Sequence, residues 1–274
     1  MGKFDGILLM SDLDGTLCDG GKVSAENCKA IAYFQSEGGL FSIATGRMHY
    51  NLEETVKGVY ELVNAVGIMC NGTYFYDFCE KKLFMESFMD NAVTSKAIAC
   101  VLKQGFDGFI RGCDRNGYFV DSVDKRGREL LLGYGITAFV ELPYCEWNAE
   151  NWYKVCFDDR PDALACVERL LREKFPGAFE YNRSRPTLLE IQRNGVNKST
   201  LFEPFKQYYR DKGRELTVYV CGDNENDIEI LKKADVAVCP SNAIDDVKAI
   251  CDRCLCSNNE GVVADLIYSL KNFL

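Results

Sequence analysis

The sequence predicts an α/β fold: a doubly wound parallel sheet interrupted by an inserted α+β unit. Three observations predict it. First, short apolar runs alternate with helical stretches: Ile7-Leu8-Leu9-Met10, Leu40-Phe41-Ser42-Ile43-Ala44 and Ala65-Val66-Gly67-Ile68-Met69-Cys70. Strands without a polar alternation are buried on both faces, as in a parallel sheet wrapped by helices. Second, this rhythm breaks near residue 83 and returns at Lys198. Third, polar clusters follow directly on the apolar runs, where an open parallel sheet binds its ligands.

In chain order, the first run leads into Ser11-Asp12-Leu13-Asp14-Gly15-Thr16. If the strand persists, Asp12 and Asp14 point the same way. Ser24 is placed to cap a helix carrying Ile31 and Phe34, which Gly38-Gly39 ends. The second run stops at Thr45-Gly46-Arg47, with a helix expected through Val56, and the third stops at Asn71-Gly72-Thr73. Asp90 is expected to cap a helix reaching Gln104. Extended pieces follow at Phe106–Arg111 and Tyr118–Asp121, then a helix at Lys125–Leu132 and a strand at Trp152–Phe157. Pro161 suits the first turn of a helix through Phe175, and two strands follow at Phe179–Asn182 and Leu188–Ile191. Strands without helices between them suggest a largely antiparallel sheet. A helix then opens at Lys198 and reaches Tyr209. Strands at Leu216–Cys221 and Val236–Cys239 flank a helix at Ile228–Ala234, and a last helix covers Gly261–Ser269. The expected domains are residues 1–82 with 189–274, and an insertion over 83–188.

Composition narrows the function classes. The chain has 274 residues, 47% hydrophobic and 27% charged, enough for a sizeable core. Its formal net charge of −9, with no dense Lys/Arg run, argues against nucleic acid and anionic membrane surfaces as partners. No signal peptide precedes Asp12, and no apolar run reaches the ~18 residues of a bilayer span. The 14 cysteines are scattered. Cys251-Asp252-Arg253-Cys254-Leu255-Cys256 lacks a partner pair, and His49 is the single histidine, so no zinc site is expected. The cysteines are expected to be reduced, buried, small hydrophobes of a cytoplasmic protein.

The three strand-end clusters bring Asp12, Asp14, Asp223, Asp227, Asn226, Thr45 and Gly46 toward one crevice, with Lys198 joining from a helix start. A cation at a helix N-terminus opposes the dipole, which argues for an anionic partner. Carboxylates this close need a positive group between them or a shared proton. A hard divalent cation, magnesium, accounts for them. An EF-hand loop does not fit: Leu17 follows Thr16 and Val23 is distal, while Ile228 follows Asp227 and Ala234 is distal. Metal, lysine, hydroxyl and backbone donors together suit a phosphoryl group. No G-x-x-x-x-G-K-[ST] loop is present. One aspartate against phosphorus can be a nucleophile, and its neighbour can move the proton.

Four ordered stretches carry a resemblance: Asp12-Leu13-Asp14-Gly15-Thr16, Ala44-Thr45-Gly46-Arg47, Gly195-Val196-Asn197-Lys198 and Gly222-Asp223-Asn224-Glu225-Asn226-Asp227. The chain resembles the haloacid dehalogenase superfamily, and within it the Cof-type phosphatases with a C2-type (C2B) cap. Asn71-Gly72, Glu190-Ile191 and Gly261-Val262 also fit that pattern. The resemblance implies a Rossmann-like core, and a cap domain over the inserted residues. It implies that Asp12 is the nucleophile that becomes an aspartyl-phosphate. Asp14 would be the general acid/base and lend the metal its backbone carbonyl. Asp223 would be the other protein ligand of Mg2+, and Asp227 would hold a metal-bound water or orient the loop. Thr45, Gly46 and Lys198 would bind the phosphoryl group, and Asn226 would contact it or the metal waters. A carboxylate at Asp14 sets the chain with the phosphatases and phosphomutases of the superfamily.

The expected activity is therefore hydrolysis of small phosphorylated metabolites, chiefly sugar phosphates, by a monomer or small homo-oligomer. A phosphosugar mutase and a non-catalytic phospho-ligand-binding protein are the alternatives. Arg47 is open between a substrate or cap contact and a surface pair. His49 reads as structural, Trp152 and Tyr153 as core of the insertion, and Arg183 and Arg185 are open between meeting a substrate anion and a solvated loop.

Overall fold

The computed structural model describes residues 2–147 and 151–270, and divides into two compact units, residues 2–86 with 197–270 and residues 87–147 with 151–196. In the first unit the apolar runs assemble as expected into a parallel sheet. Its order is Arg253–Leu255, Val236–Pro240, Thr217–Cys221, Ile7–Ser11, Leu40–Ile43, with every neighbouring pair parallel. All five residues of the central strand Ile7–Ser11 are buried. Alternate residues serve opposite faces: Leu8, Met10, Val218 and Val220 pack with Phe202, Phe205 and Tyr209 of the helix Phe202–Asp211. The helices Ala25–Ser36 and Val262–Leu270 pack on each other. Between them the buried Asn27 takes the Ala264 amide at 2.9 Å and donates to the Leu17 carbonyl at 3.2 Å.

The helix Ala25–Ser36 starts where Ser24 accepts a hydrogen bond from the Asn27 amide, and ends before Gly38 at φ +90°. Two expectations in this unit change. The third apolar run, Val66–Met69, joins the parallel sheet through a bridge of Ala44 to Ile68 and a 2.6 Å bond from the Ser42 hydroxyl to the Val66 carbonyl, not through a strand ladder. It turns back at Cys70–Gly72 into an antiparallel ladder with Tyr74–Asp77, which in turn pairs with Lys82–Phe84. Cys70, Asn71 and Gly72 all have positive φ there, which makes the reversal tight. The second change concerns Lys198: it lies in a turn, and the helix begins at Phe202. The dipole argument for an anionic partner therefore does not apply to it.

The second unit carries a six-stranded sheet in the order Phe139–Glu141, Tyr118–Val120, Phe109–Cys113, Lys154–Asp158, Leu188–Arg193, Phe179–Arg185. Every pair is antiparallel except the first. Its apolar face (Ile110, Val155, Phe157, Leu189, Ile191) packs with Ala97, Ile98 and Val101 of Asn91–Lys103 and with Leu164, Val167 and Leu171 of Pro161–Lys174. Asp90 caps the former helix through the Val93 amide at 2.9 Å. Trp152 and Tyr153 are fully buried, as expected. The strand Leu188–Arg193 pairs on both sides within this sheet, so the units divide at 86/87 and 196/197. The expected divisions at 82/83 and 188/189 fall short of these, the second inside a hairpin.

All 14 cysteines are free. Burial was expected of them as a class, but Cys79, Cys145, Cys166 and Cys254 are exposed. Among the described residues no helix is long and apolar enough to cross a membrane.

Candidate active site

The central strand ends at Ser11, and the next amide, that of Asp12, donates to the Cys221 carbonyl at 2.8 Å. That bond ties the start of the Asp12–Thr16 loop to the end of Thr217–Cys221. Gly222 then lets the chain pass Asp227: a Cβ at Gly222 would lie 2.6 Å from the Asp227 Cβ. Likewise a Cβ at Gly15 (φ +87°) would lie 2.4 Å from the Asp223 carboxylate. Glycine at 222 lets the last acidic loop close on its own Asp227, and glycine at 15 lets the first acidic loop approach Asp223.

Three carboxylates meet there. Ligand oxygens of Asp12, Asp223 and Asp227 lie within 4.8 Å of one another. Lys198, with no solvent exposure, donates to Asp12 Oδ1 at 2.5 Å and to Asp227 Oδ1 at 2.6 Å. The other oxygen of Asp227 accepts the backbone amides of Asp223 and Asn224, at 3.1 and 3.2 Å. Thr16 donates its hydroxyl to Asp223 Oδ1 at 2.6 Å. Burial pushes the Asp12 carboxyl well above the usual carboxylate range; Lys198 opposes this, and Asp227, Asp223 and Asp14 add to it. Burial likewise lifts Asp223 to about 6, against the Thr16 hydrogen bond. Burial works against charge on Lys198, but two carboxylate partners outweigh it and hold the lysine above its ordinary range. An ammonium shared by two carboxylates keeps its proton, so the strain in this cluster is excess negative charge.

That electrostatic imbalance is the test of fit for a metal. Three carboxylates and one ammonium leave a deficit of two positive charges in an all-oxygen donor set. A hard divalent cation matches both the charge and the donor type.

Asp14 is placed differently from the expectation. The strand does not persist past Ser11, and the Asp14 side chain is half exposed, outside the three-carboxylate cluster. Arg47 grips it with two bonds, Nε to Oδ2 at 2.8 Å and Nη2 to Oδ1 at 2.6 Å. The two aspartates of the first motif therefore occupy unlike environments, one buried beside a lysine and one held by an arginine at the rim.

Thr45 is buried, and its Oγ1 accepts the Arg47 amide at 3.1 Å. A Cβ at Gly46 would come within 3.0 Å of Asn71 Oδ1, which also accepts from Asn226 Nδ2 at 3.4 Å. Asn71 therefore links the loops carrying Gly46 and Asn226. Gly72, at φ +90°, lies so close to Asn197 that a Cβ would stand 1.9 Å from the Asn197 carbonyl oxygen. The 70–72 turn thus packs directly against the residue before Lys198. Four contacts here were not legible in the sequence: Thr16 with Asp223, Arg47 with Asp14, Asn71 with Asn226, and Asn242, which donates to the Gly15 carbonyl at 2.8 Å. His49 stands in an aromatic nest, stacked on Tyr76 at 4.6 Å with Nδ1 3.0 Å from the Tyr74 hydroxyl.

A model of the haloacid dehalogenase-like hydrolases matches residues 9–267, nearly the whole chain. The chain belongs to this family of hydrolases. Two relatives align over most of both lengths. A 5-amino-6-(5-phospho-D-ribitylamino)uracil phosphatase of Bacillus subtilis is 26% identical, over 95% of this chain and 94% of its own. A pyridoxal phosphate phosphatase of Escherichia coli is 24% identical, over 94% and 96%. The crystal structure of a haloacid dehalogenase-like hydrolase from Bacteroides thetaiotaomicron shares the fold, with a TM-score of 0.82 at 23% identity, covering 96% of this chain and 99% of that one. In this haloacid dehalogenase-like hydrolase the first and last motifs form the acidic cluster, and the second motif meets the last through Asn71.

Proposed function

We propose that this hydrolase is a magnesium-dependent phosphatase of small phosphorylated metabolites, sugar phosphates above all, acting through an aspartyl-phosphate on Asp12. The observation that carries the reading is the buried Asp12, hydrogen-bonded to Lys198 inside a carboxylate cluster that lacks two positive charges. The two curated relatives support the substrate class. One is named for a phosphate on a ribityl chain, the other for pyridoxal phosphate, both phosphomonoesters of small polar molecules.

In this reading an Asp12 oxygen attacks phosphorus, forming an O–P bond as the ester O–P bond breaks. Asp14 gives its proton to the departing alkoxide. It then takes a proton from the water that attacks the aspartyl-phosphate, releasing inorganic phosphate and restoring Asp12. Lys198, the Thr45 hydroxyl and the Gly46 amide hold the transferring group and meet its charge. Asn226, linked to Asn71, holds the same region from the last motif. Asp12, Asp14, Asp223 and Asp227 would hold a magnesium ion, Asp14 through its backbone carbonyl and Asp227 through water or by orienting the loop. When bound, that cation supplies neutralisation of the charge on the phosphoryl oxygens. The net charge of −9 favours a metabolite over nucleic acid or an anionic membrane as partner, and a cytoplasmic setting fits that substrate class.

Phosphate release from a panel of sugar phosphates, nucleotides and pyridoxal phosphate, with Mg2+ and with chelator, tests the proposal. Mg2+-dependent release from sugar phosphates is expected. No release from any ester would overturn it, and isomerised sugar phosphate in place of free phosphate would assign the chain to the mutases.

A further inference from the structure

We infer that Arg47 is a positioning residue for the proton transfer: its guanidinium sets the direction of the ionised Asp14 carboxylate, which takes up a proton from solvent as one oxygen leaves the fork and passes that proton to the ester oxygen. The inference rests on the role proposed above for Asp14. The two residues are 33 positions apart, yet both carboxylate oxygens accept from Arg47 in the forked geometry that a guanidinium offers and an ammonium does not.

The ion pair is badly placed to serve stability. The Asp14 side chain is 51% exposed, so solvent screens the pair and limits what it adds to folding. Orientation is what a bidentate grip does supply, and Arg47 is built to supply it. Its backbone is pinned on both sides, its amide donating to Thr45 Oγ1 at 3.1 Å and its carbonyl accepting the Cys70 amide at 3.1 Å. Asp14 is held by its own loop, where it bridges to Cys18 and the next amide, Gly15, donates to the Cys18 carbonyl at 3.1 Å. Both ends of the ion pair therefore come from anchored backbone, and the two-bond fork acts on the side-chain torsions of Asp14. Thr45 ties the device to the phosphoryl site, because the same side chain proposed to meet phosphate also holds the Arg47 amide.

Positioning of an acid has a signature that general damage lacks. An alkyl phosphate needs a proton on its leaving oxygen, and p-nitrophenyl phosphate does not. The test compares kcat/KM of wild type, Arg47→Gln, Arg47→Lys and Asp14→Asn, all with Mg2+, on a sugar phosphate and on p-nitrophenyl phosphate. Arg47→Gln should lose about 100-fold on the sugar phosphate, as expected of a misplaced acid, and under about threefold on p-nitrophenyl phosphate. Arg47→Lys, which keeps the charge without the fork, should show the same selectivity, and added guanidinium should restore part of the Arg47→Gln loss. Adding Arg47→Gln to Asp14→Asn should lower the rate no further. Equal losses on both esters, or no loss, would overturn the inference. A wild type inert on both esters would instead overturn the phosphatase reading, and this inference with it. If Arg47→Gln does not fold, Arg47→Lys decides by the same ratio.

Discussion

Lys198 donates to Asp12 at 2.5 Å and to Asp227 at 2.6 Å from a side chain wholly shielded from solvent. One ammonium thus holds together a strand-end aspartate and one from a loop more than two hundred residues away. Replacing it with Met leaves two buried carboxylates facing each other. Lys198→Met should destabilise the protein by about 3 kcal/mol, the scale for breaking a buried ion pair on one side. Urea unfolding measures this directly. Added Mg2+ should recover part of the loss, because a cation can take over the lysine's charge. A variant as stable as wild type without metal would remove Lys198 from the electrostatic account.

Thr16 aims Asp223 through a 2.6 Å hydrogen bond. Thr16→Val keeps the shape and deletes the donor. Groups that orient a metal ligand are typically worth about 10- to 100-fold in affinity. Calorimetric titration of Mg2+ should therefore show at least a tenfold weaker site in Thr16→Val, with the unfolding midpoint of the metal-free protein nearly unchanged. Equal affinity in both proteins would mean that Asp223 does not hold the ion.

Gly72 lies at φ +90° with no room for a side chain before the Asn197 carbonyl. Gly72→Ala should cost about 3 kcal/mol, backbone strain included. Its effect should reach the site, since the displaced Asn197 directly precedes Lys198. Turnover at full stability margin, measured well below the unfolding temperature, should fall as well. Loss of stability with unchanged kcat would show that this contact does not set the lysine.

Burial lowers the pKa of His49 from 6.5 to about 4, with Glu86 pulling the other way. The unfolded chain then binds more protons than the folded one between those values, so stability rises with pH across that window. His49 contributes fully above pH 6.5, and its contribution disappears as pH falls toward 4. Urea midpoints of wild type and His49→Phe, taken from pH 7 down to 4, should converge or cross as pH falls. Because the chain has a single histidine, its proton resonances should titrate well below pH 6 in the folded protein. A titration near 6.5 would contradict the burial argument.

Much of the fold could be read because local and global signals agree. The run Ile7–Met10 is apolar at every position since both faces of its strand are covered, and Ser24 and Asp90 start helices through their own side chains. The strand Leu188–Arg193 was open to misassignment because its mixed sequence, with Glu190, Gln192 and Arg193 among three aliphatic residues, does not say which sheet takes it; only its pairing with Lys154–Asp158 and Phe179–Arg185 decides. Helix Phe202–Asp211 starts without a side-chain cap, so nothing in the sequence separated Lys198 from it. The clustered acids Asp12, Asp223 and Asp227 were recognisable from strand-end placement. The fate of Asp14 was not, because the strand stops one residue before Asp12 and the partner Arg47 is remote in sequence. Contacts such as Thr16 with Asp223 depend on loops meeting across the sheet edge, which no spacing along the chain records.

The central claim is that Asp12 carries the phosphoryl group. Rapid acid quench of the enzyme with Mg2+ and a phosphate-labelled sugar phosphate, followed by peptide mapping, tests it most directly. Label on the peptide containing Asp12, lost on chasing with unlabelled substrate and absent from an inactive, folded Asp12→Asn variant, is the expected result. Full turnover by Asp12→Asn, or label mapped to another residue, would contradict the account.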